Sequence, residues 1–285
     1  MTETQIEFIE RLVSRPSVFM HEIRNLFKRD DMVEVLRYAI ENKFFDVIST
    51  DFYRMSTIMQ KNEYHNETVL EHTLEVIQYI YDTVDRDDSY YNYIMFAALL
   101  HDIGKVNTLS VDDKGITHFY GHEEESVKIV KSFAKQLFFY NAEIDIISFM
   151  IARHMDTKCF GDGNFTRKRY KCIRRLMAEC GSKELFRAYE KLCDADVAAM
   201  YKVKSADEIE WVAKLHAVTR EIENTEPDYY KMTQFVTIED IMELRSCSVD
   251  DAKLCMDYLN KIKIGNYQQT DTKEKCIKLI LSAKI

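Results

Sequence analysis

Two prolines and seven glycines are the only strong breakers in 285 residues, and apolar side chains recur at helical spacing along almost the whole chain. A chain so poor in the residues that turn a strand or stop a helix has little means of building a sheet. Its abundant Glu, Lys, Leu, Ile, Met and Ala add intrinsic helix propensity, so the pattern predicts an all-α protein. Helices are expected near residues 3–14, 17–28, 31–42, 67–82, 90–103, 122–139, 142–154, 165–179, 183–202 and 206–222. Gly104, Gly115, Gly121, Gly161, Gly163, Gly181 and Gly265 all fall at the ends of these segments or between them.

A chain of this length suits one large helical domain with a small satellite. The stretch NTEPDYYKM, containing Pro227, breaks the pattern and suggests a boundary. The expected division is an N-terminal helical segment at 1–60, a main domain at 61–224 and a small helical module at 225–285. Three capping boxes announce the module's helices: Thr237 with Asp240, Ser248 with Asp251, and Asp271 with Glu274. Residues 107–119, NTLSVDDKGITHF, form a polar excursion around Gly115 that reads as a short hairpin or lid.

The formal charge of −9 excludes extended, non-specific wrapping of nucleic acid, which depends on Lys and Arg displacing counterions from phosphates. The start, MTETQIEFIERL, lacks the basic and apolar regions of a signal peptide, and no apolar run is long enough to span a bilayer. A cytoplasmic protein without a membrane partner is expected. The seven cysteines are scattered and never spaced as CxxC, so they read as reduced core residues.

The run YIMFAALL, fit for an interior, ends in His101 beside Asp102. Three other helices aim a histidine along their apolar stripes. In VLEHTLEVIQY the stripe is Val69, His72, Val76 and Tyr79, and it extends backwards to His65. In GHEEESVKIVKSF it is His122, Ser126, Ile129, Val130 and Phe133, and in AEIDIISFMIARH it is Ile147, Met150, Ile151 and His154. In LFRAYEKLCDADVAAMY, Asp196 shares a face with Leu185, Tyr189, Leu192, Cys193 and Ala199, whereas Asp194 sides with Arg187, Glu190, Lys191 and Tyr201. Asp196 is therefore the inward acid. Buried carboxylates are costly unless paired or bound to a cation, and imidazoles with carboxylates but no thiolate suit one or two divalent ions among Mn, Fe, Co, Ni, Zn and Mg. Gly104 would loosen the helix end so that the consecutive His101 and Asp102 reach one cluster.

The order His72, His101-Asp102, Asp196, with His122 and His154 as an additional pair, resembles the HD-domain metal-dependent phosphohydrolases. YHNETVLEHTLEV, FAALLHDIGK, FYGHEEES, RKRYKCIRRLM and LCDADVAA also resemble the HD region of bacterial CCA-adding tRNA nucleotidyltransferases. Nothing here resembles the nucleotidyltransferase head, and the tail lacks the glycine that such tails carry ahead of their DLM-like segment. Neither nucleotide addition nor recognition of the tRNA elbow is expected.

The resemblance implies hydrolysis of phosphoesters in nucleotides or RNA termini, including a 2′,3′-cyclic phosphodiesterase with phosphatase activity, by hydroxide generated at the metal centre. One ion would be held by His72, His101, Asp102 and Asp196, and a second by Asp102, His122 and His154. Asp102, Lys105 and His65 are the candidate catalytic residues. Lys105 either meets the phosphate or caps the preceding helix. Lys168, Lys171, Arg174 and Arg175 form either a phosphate-binding face or a solvated one, and the guanidinium fork favours Arg174 and Arg175. Glu123 either orients His122 or favours its helix N-terminus, and His118 is assigned to the exposed excursion. His21 and His216 have no assigned partner, and Phe138, Phe139 and Tyr140 read as packing. The competing readings are a nucleoside mono- or triphosphate phosphohydrolase and a non-catalytic RNA-binding module that keeps the metal pocket.

Overall fold

In the computed structural model, described residues are 1–62, 64–135, 137, 140–156, 167–200, 206–226, 235–265, 269–270 and 272–283. Over these the protein is all-α apart from one small hairpin. The order is α1 (Glu3–Val13), α2 (Pro16–Leu26), α3 (Met32–Glu41), a 3-10 turn (Phe44–Val47), α4 (Asp51–Thr57), α5 (Val69–Thr83), α6 (Tyr91–Leu100) and α7 (Lys105–Thr108). There follow β1 (Ser110–Val111), β2 (Thr117–His118), α8 (His122–Ala134), α9 (Asn141–Arg153), α10 (Arg167–Cys180), α11 (Lys183–Ala199) and α12 (Ala206–Thr225). The chain closes with α13 (Ile238–Arg245), α14 (Val249–Gly265) and α15 (Lys273–Ser282). None of the described helices is long and apolar enough to cross a membrane.

Capping chemistry sets several helix starts. Thr2 with Gln5 and Thr237 with Asp240 form reciprocal capping boxes, and Thr68 accepts from the Glu71 N–H to start α5. Ser248 accepts from the Asp251 N–H and donates to its carboxylate. Asp271 lies outside the described residues, and Thr272 is the residue that caps α15. The 3-10 turn and α4 lay in a stretch given no element, because each is only a turn or two long and too short to show a helical period.

The chain divides into two units. The first comprises Met1–Gly161 and Arg187–Ala213, the second Asp162–Phe186 and Lys214–Ile285. In the first, α3 and α4 pack on α5, and α6 lies against α5 and α9. Tyr91, Ile94 and every residue from Met95 to Leu100 on α6 are buried, as an all-round apolar helix requires. Phe27 meets Phe96 edge to face at 5.0 Å, and the buried Tyr91 hydroxyl donates to the Phe27 carbonyl at 2.6 Å. Each such side chain taken fully out of water contributes about 1.5–3 kcal/mol, which makes α6 a rigid post with His101 at its end.

The second unit holds α10, packed on α14, and α13 to α15 around Val236, Ile241, Ala252, Cys255, Leu259, Cys276 and Ile280. Pro227, Gly161, Gly163, Phe138 and Phe139 lie outside the described residues.

Candidate metal centre

Five elements bring the ionisable groups together. His72 comes from α5, His101 and Asp102 from the turn after α6, His122 from the start of α8, His154 from just past α9 and Asp196 from α11. All six are buried. Asp102 sits between two histidine pairs. Its Oδ2 is 3.2 Å from His101 Nε2 and 3.7 Å from His72 Nε2, while its Oδ1 is 3.2 Å from His122 Nε2 and 3.8 Å from His154 Nε2. Asp196 Oδ1 lies 3.0 Å from His72 Nε2 and 3.8 Å from His101 Nε2.

Backbone carbonyls aim three of the imidazoles. His101, His122 and His154 each place Nδ1 on the carbonyl three residues earlier, Ala98, Phe119 and Ile151, at 2.8, 2.8 and 2.7 Å. An Nδ1–H donated there leaves the Nε2 lone pair pointing into the cluster. The Nε2 atoms of His122 and His154 are 3.2 Å apart, so two lone pairs face each other. His101 Nε2 and both Asp102 oxygens are buried without a well-aligned hydrogen bond. Orphaned acceptors gathered this closely fit a cation, which satisfies them all at once. The groups His72, His101, Asp102 and Asp102, His122, His154 each bring three potential ligand atoms within 4.8 Å of one another.

The electrostatics agree with that chemistry. Burial pushes the Asp102 carboxyl up, but the His101 imidazole and the Lys105 ammonium outweigh it and hold the group well below the usual carboxylate range. Asp196 is likewise lowered, with His72 chief among the groups that overcome its burial. Burial and the neighbouring His101 and His122 bring His154 down to about 3, so its imidazole is neutral at pH 7. His101 is raised because the attraction of Asp102 and Asp196 exceeds the cost of its burial.

Gly104 has α-region backbone and does not loosen the turn. It serves close packing instead: a Cβ there would run into the His122 carbonyl oxygen and the Ser126 backbone nitrogen, and would lie 2.8 Å from Ser126 Oγ. The bare backbone lets α7 and α8 touch. Ser126 Oγ accepts from the Gly104 N–H at 2.8 Å and donates to the His101 carbonyl at 2.7 Å, which ties the two histidine pairs together.

Lys105 Nζ is 2.6 Å from Asp102 Oδ2 and donates to Gln60 Oε1 at 2.7 Å, so it does not cap the carbonyls of α6. His65 precedes α5 in a loop, because Thr68 starts the helix three residues later, and its ring centroid is 4.7 Å from that of His72. Its Nδ1 bonds Glu67 Oε1 at 2.6 Å, and burial lowers it to about 4. Tyr79 is 37% exposed; Ile77 and Ile80 occupy the inward face in its place. Glu123 Oε2 is 3.4 Å from His122 Nδ1, farther than the Phe119 carbonyl that orients the ring. A cavity of about 640 Å³ opens on this cluster, with Tyr64, His65, Lys105, His118, Tyr120 and His122 in its wall.

In the second unit, Arg174 pairs with the buried Glu226, Arg175 Nε is 3.8 Å from Glu179 Oε1, and the Lys171 chain passes Gly265. The Lys168 side chain lies outside the described residues. His21 is an exposed residue that meets Asn25 at 3.1 Å, and Tyr140 is an exposed residue that begins α9.

Sequence reasoning passed over Gln60, Asn62 and Glu67. Their signal was present in QKNEYHNE, a polar run just before a helix that carries a buried histidine. Asn62 Oδ1 accepts from the backbone N–H groups of Tyr64 and His65, and Gln60 supplies the acceptor a buried ammonium requires.

Residues 69–170 match the family model of the HD domain. The match covers about a third of the chain and supports the HD-domain superfamily, metal-dependent phosphohydrolases whose members bind divalent metals. His72, His101, Asp102, His122 and His154 fall inside the HD domain match, whereas His65 and Asp196 flank it. No curated protein matches the chain, so the likeness to CCA-adding enzymes is not supported by any homologue.

Proposed function

We propose that this chain is a metal-dependent phosphohydrolase acting on phosphoesters of nucleotides or RNA termini, with 2′,3′-cyclic phosphodiesters and the monoesters they open to as its substrates. The observation that carries the reading is Asp102, whose two oxygens each face a different histidine pair at 3.2 to 3.8 Å. His72, His101, Asp102 and Asp196 would hold one ion, and Asp102, His122 and His154 a second. Divalent ions of the Mn, Fe, Co, Ni, Zn or Mg class supply charge neutralisation on phosphoryl oxygens and make water acidic enough to react near neutral pH.

The remaining residues would orient the substrate and move protons. Lys105, fixed between Asp102 and Gln60 in the cavity wall, offers its charge to a phosphoryl oxygen. His65, neutral at pH 7 and with Nδ1–H turned to Glu67, is set as a proton acceptor and not as a cationic donor. Lys171, Arg174 and Arg175 belong to the second unit, so their phosphate role stands as an expectation from the sequence, and Arg174 is paired with Glu226.

The test is elemental analysis of the purified chain together with hydrolysis of bis-p-nitrophenyl phosphate by metal-stripped, metal-restored protein. Asp102→Ala is expected to lose both metal and turnover; undiminished turnover in that variant refutes the reading. A panel of 2′,3′-cyclic, monophosphate and triphosphate nucleotides assigns the substrate. Tight metal with RNA binding and no hydrolysis establishes a binding module instead.

A further inference from the structure

The cavity beside the metal centre is far larger than a phosphoryl group requires. At about 640 Å³ it falls within the range that receives whole organic ligands of roughly 300–1,000 Å³. Part of its wall is the hairpin segment, where the rings of His118 and Tyr120 lie parallel, 5.4 Å between centroids and 6° between planes. Tyr120 is 80% exposed. A large ring left this open to water forgoes the burial that usually offsets its hydrophobic cost.

The hairpin's hydrogen bonds orient His118, and a hydroxyl contact links Tyr120 to it. Asp112 Oδ1 accepts from the N–H groups of Lys114 and Ile116, and Asp112 Oδ2 faces His118 Nε2 at 3.3 Å. With Nε2–H turned to that carboxylate, His118 Nδ1 is left as the acceptor for the Tyr120 hydroxyl, 3.4 Å away. Gly115 and Gly121 take φ of 78° and 73°, left-handed conformations that let the chain turn before and after the pair. The Thr117 N–H donates to the Lys61 carbonyl at 2.9 Å, and the Lys61 N–H donates to Thr117 Oγ1 at 2.7 Å. The ring-bearing wall is thus tied to the wall that carries Asn62 and His65.

We propose that Tyr120, backed by His118, is a stacking platform for the base of a mononucleotide whose phosphate lies toward Lys105. The phosphate's place rests on the phosphohydrolase reading; the platform rests on the hairpin. A base stacked on an aromatic face gains whatever its identity. The rim also supplies polar partners for base edges. The Asn62 oxygen is spent on two backbone N–H groups, which leaves its amide NH₂ as donor, and the Glu123 carboxylate is an acceptor.

The experiment is calorimetric titration of the metal-loaded chain with phosphonate analogues of adenosine 3′-monophosphate and of ribose 3-phosphate, in which a methylene replaces the scissile oxygen. The adenosine analogue is expected to bind at least about tenfold more tightly. Tyr120→Ala should cut the ratio of the two affinities by about 5- to 150-fold, the cost of removing one aromatic from under a base, or bring it to one if the starting preference is smaller. Tyr120→Phe should keep it. Equal affinities in the unmodified chain, or a ratio that Tyr120→Ala leaves alone, overturn the platform, and binding of neither analogue overturns it as well. Hydrolysis of bis-p-nitrophenyl phosphate without base preference sinks the platform alone, whereas base preference without hydrolysis of any phosphoester sinks the phosphohydrolase reading alone.

Discussion

Replacing Gly104 with alanine tests whether backbone contact between α7 and α8 sets the spacing of the two histidine pairs. The added methyl would stand 2.8 Å from Ser126 Oγ and closer still to two backbone atoms, against ordinary contacts that begin at 3.4 Å. The hydroxyl would retreat by about 0.6 Å and the backbone of His122 by more. Overpacking of this kind costs about 1–3 kcal/mol, and the two hydrogen bonds through Ser126 Oγ add about 1 kcal/mol each if lost. For a unit of this size the expected fall in Tm is roughly 2–20 °C at 2–4 °C per kcal/mol. Because His122 Nε2 and Asp102 Oδ1 are 3.2 Å apart, the same displacement should cost roughly 10- to 100-fold in metal-dependent turnover. Thermal unfolding followed by circular dichroism, with metal content measured on the same samples, reads both effects. Unchanged melting and full metal retention in Gly104→Ala would refute the reasoning.

Chelation should lower the Tm of the first unit, and restoring metal to a hundred times its Kd should return about 2.7 kcal/mol; melting curves that ignore chelator count against the metal centre. Arg174→Ala should destabilise the second unit by about 3–5 kcal/mol, since it leaves the buried Glu226 without that partner, while metal content stays at the level of the unmodified chain; urea titration with elemental analysis checks both. The Arg29 hydrogen bonds lower Asp31 from 3.8 to about 2, so the stability it adds is complete above pH 4 and disappears as pH falls through 2. Asp31→Asn should therefore be less stable than the parent at pH 7, by under about 1 kcal/mol for so exposed a pair, with the gap closing between pH 4 and 2. A gap in urea midpoints that stays constant with pH overturns that assignment.

The helical class was legible because the evidence for it is local: apolar period, few breakers and threonines placed before acids. The inward histidines at the start of α8 and the end of α9 were legible for the same reason, since His122 shares a stripe with buried Ile129, Val130 and Phe133, and His154 continues one with buried Ile147, Met150 and Ile151. Tyr79 misled because a stripe drawn every three or four residues has two continuations, and only contact with α6 selects Ile77 and Ile80. The bond of His65 to Glu67, two residues away, is local and was open to reading, whereas Lys105 depends on a tertiary partner: no local pattern says that its ammonium will be shared by Asp102 and a glutamine 45 residues earlier. Gly104 was noticed for the wrong property, because a close approach by another helix leaves no trace in the glycine's own neighbourhood.

The first unit is discontinuous, and Asp196 arrives on its returning segment after the chain has passed through residues of the second. A nascent polypeptide that has emerged only as far as Phe186 carries four of the histidines and Asp102 but not the second acid. Such a chain has one carboxylate to set against four imidazoles. The site proposed for the first ion would then wait for translation to deliver α11, whereas Asp102, His122 and His154, the ligands proposed for the second, would already be present.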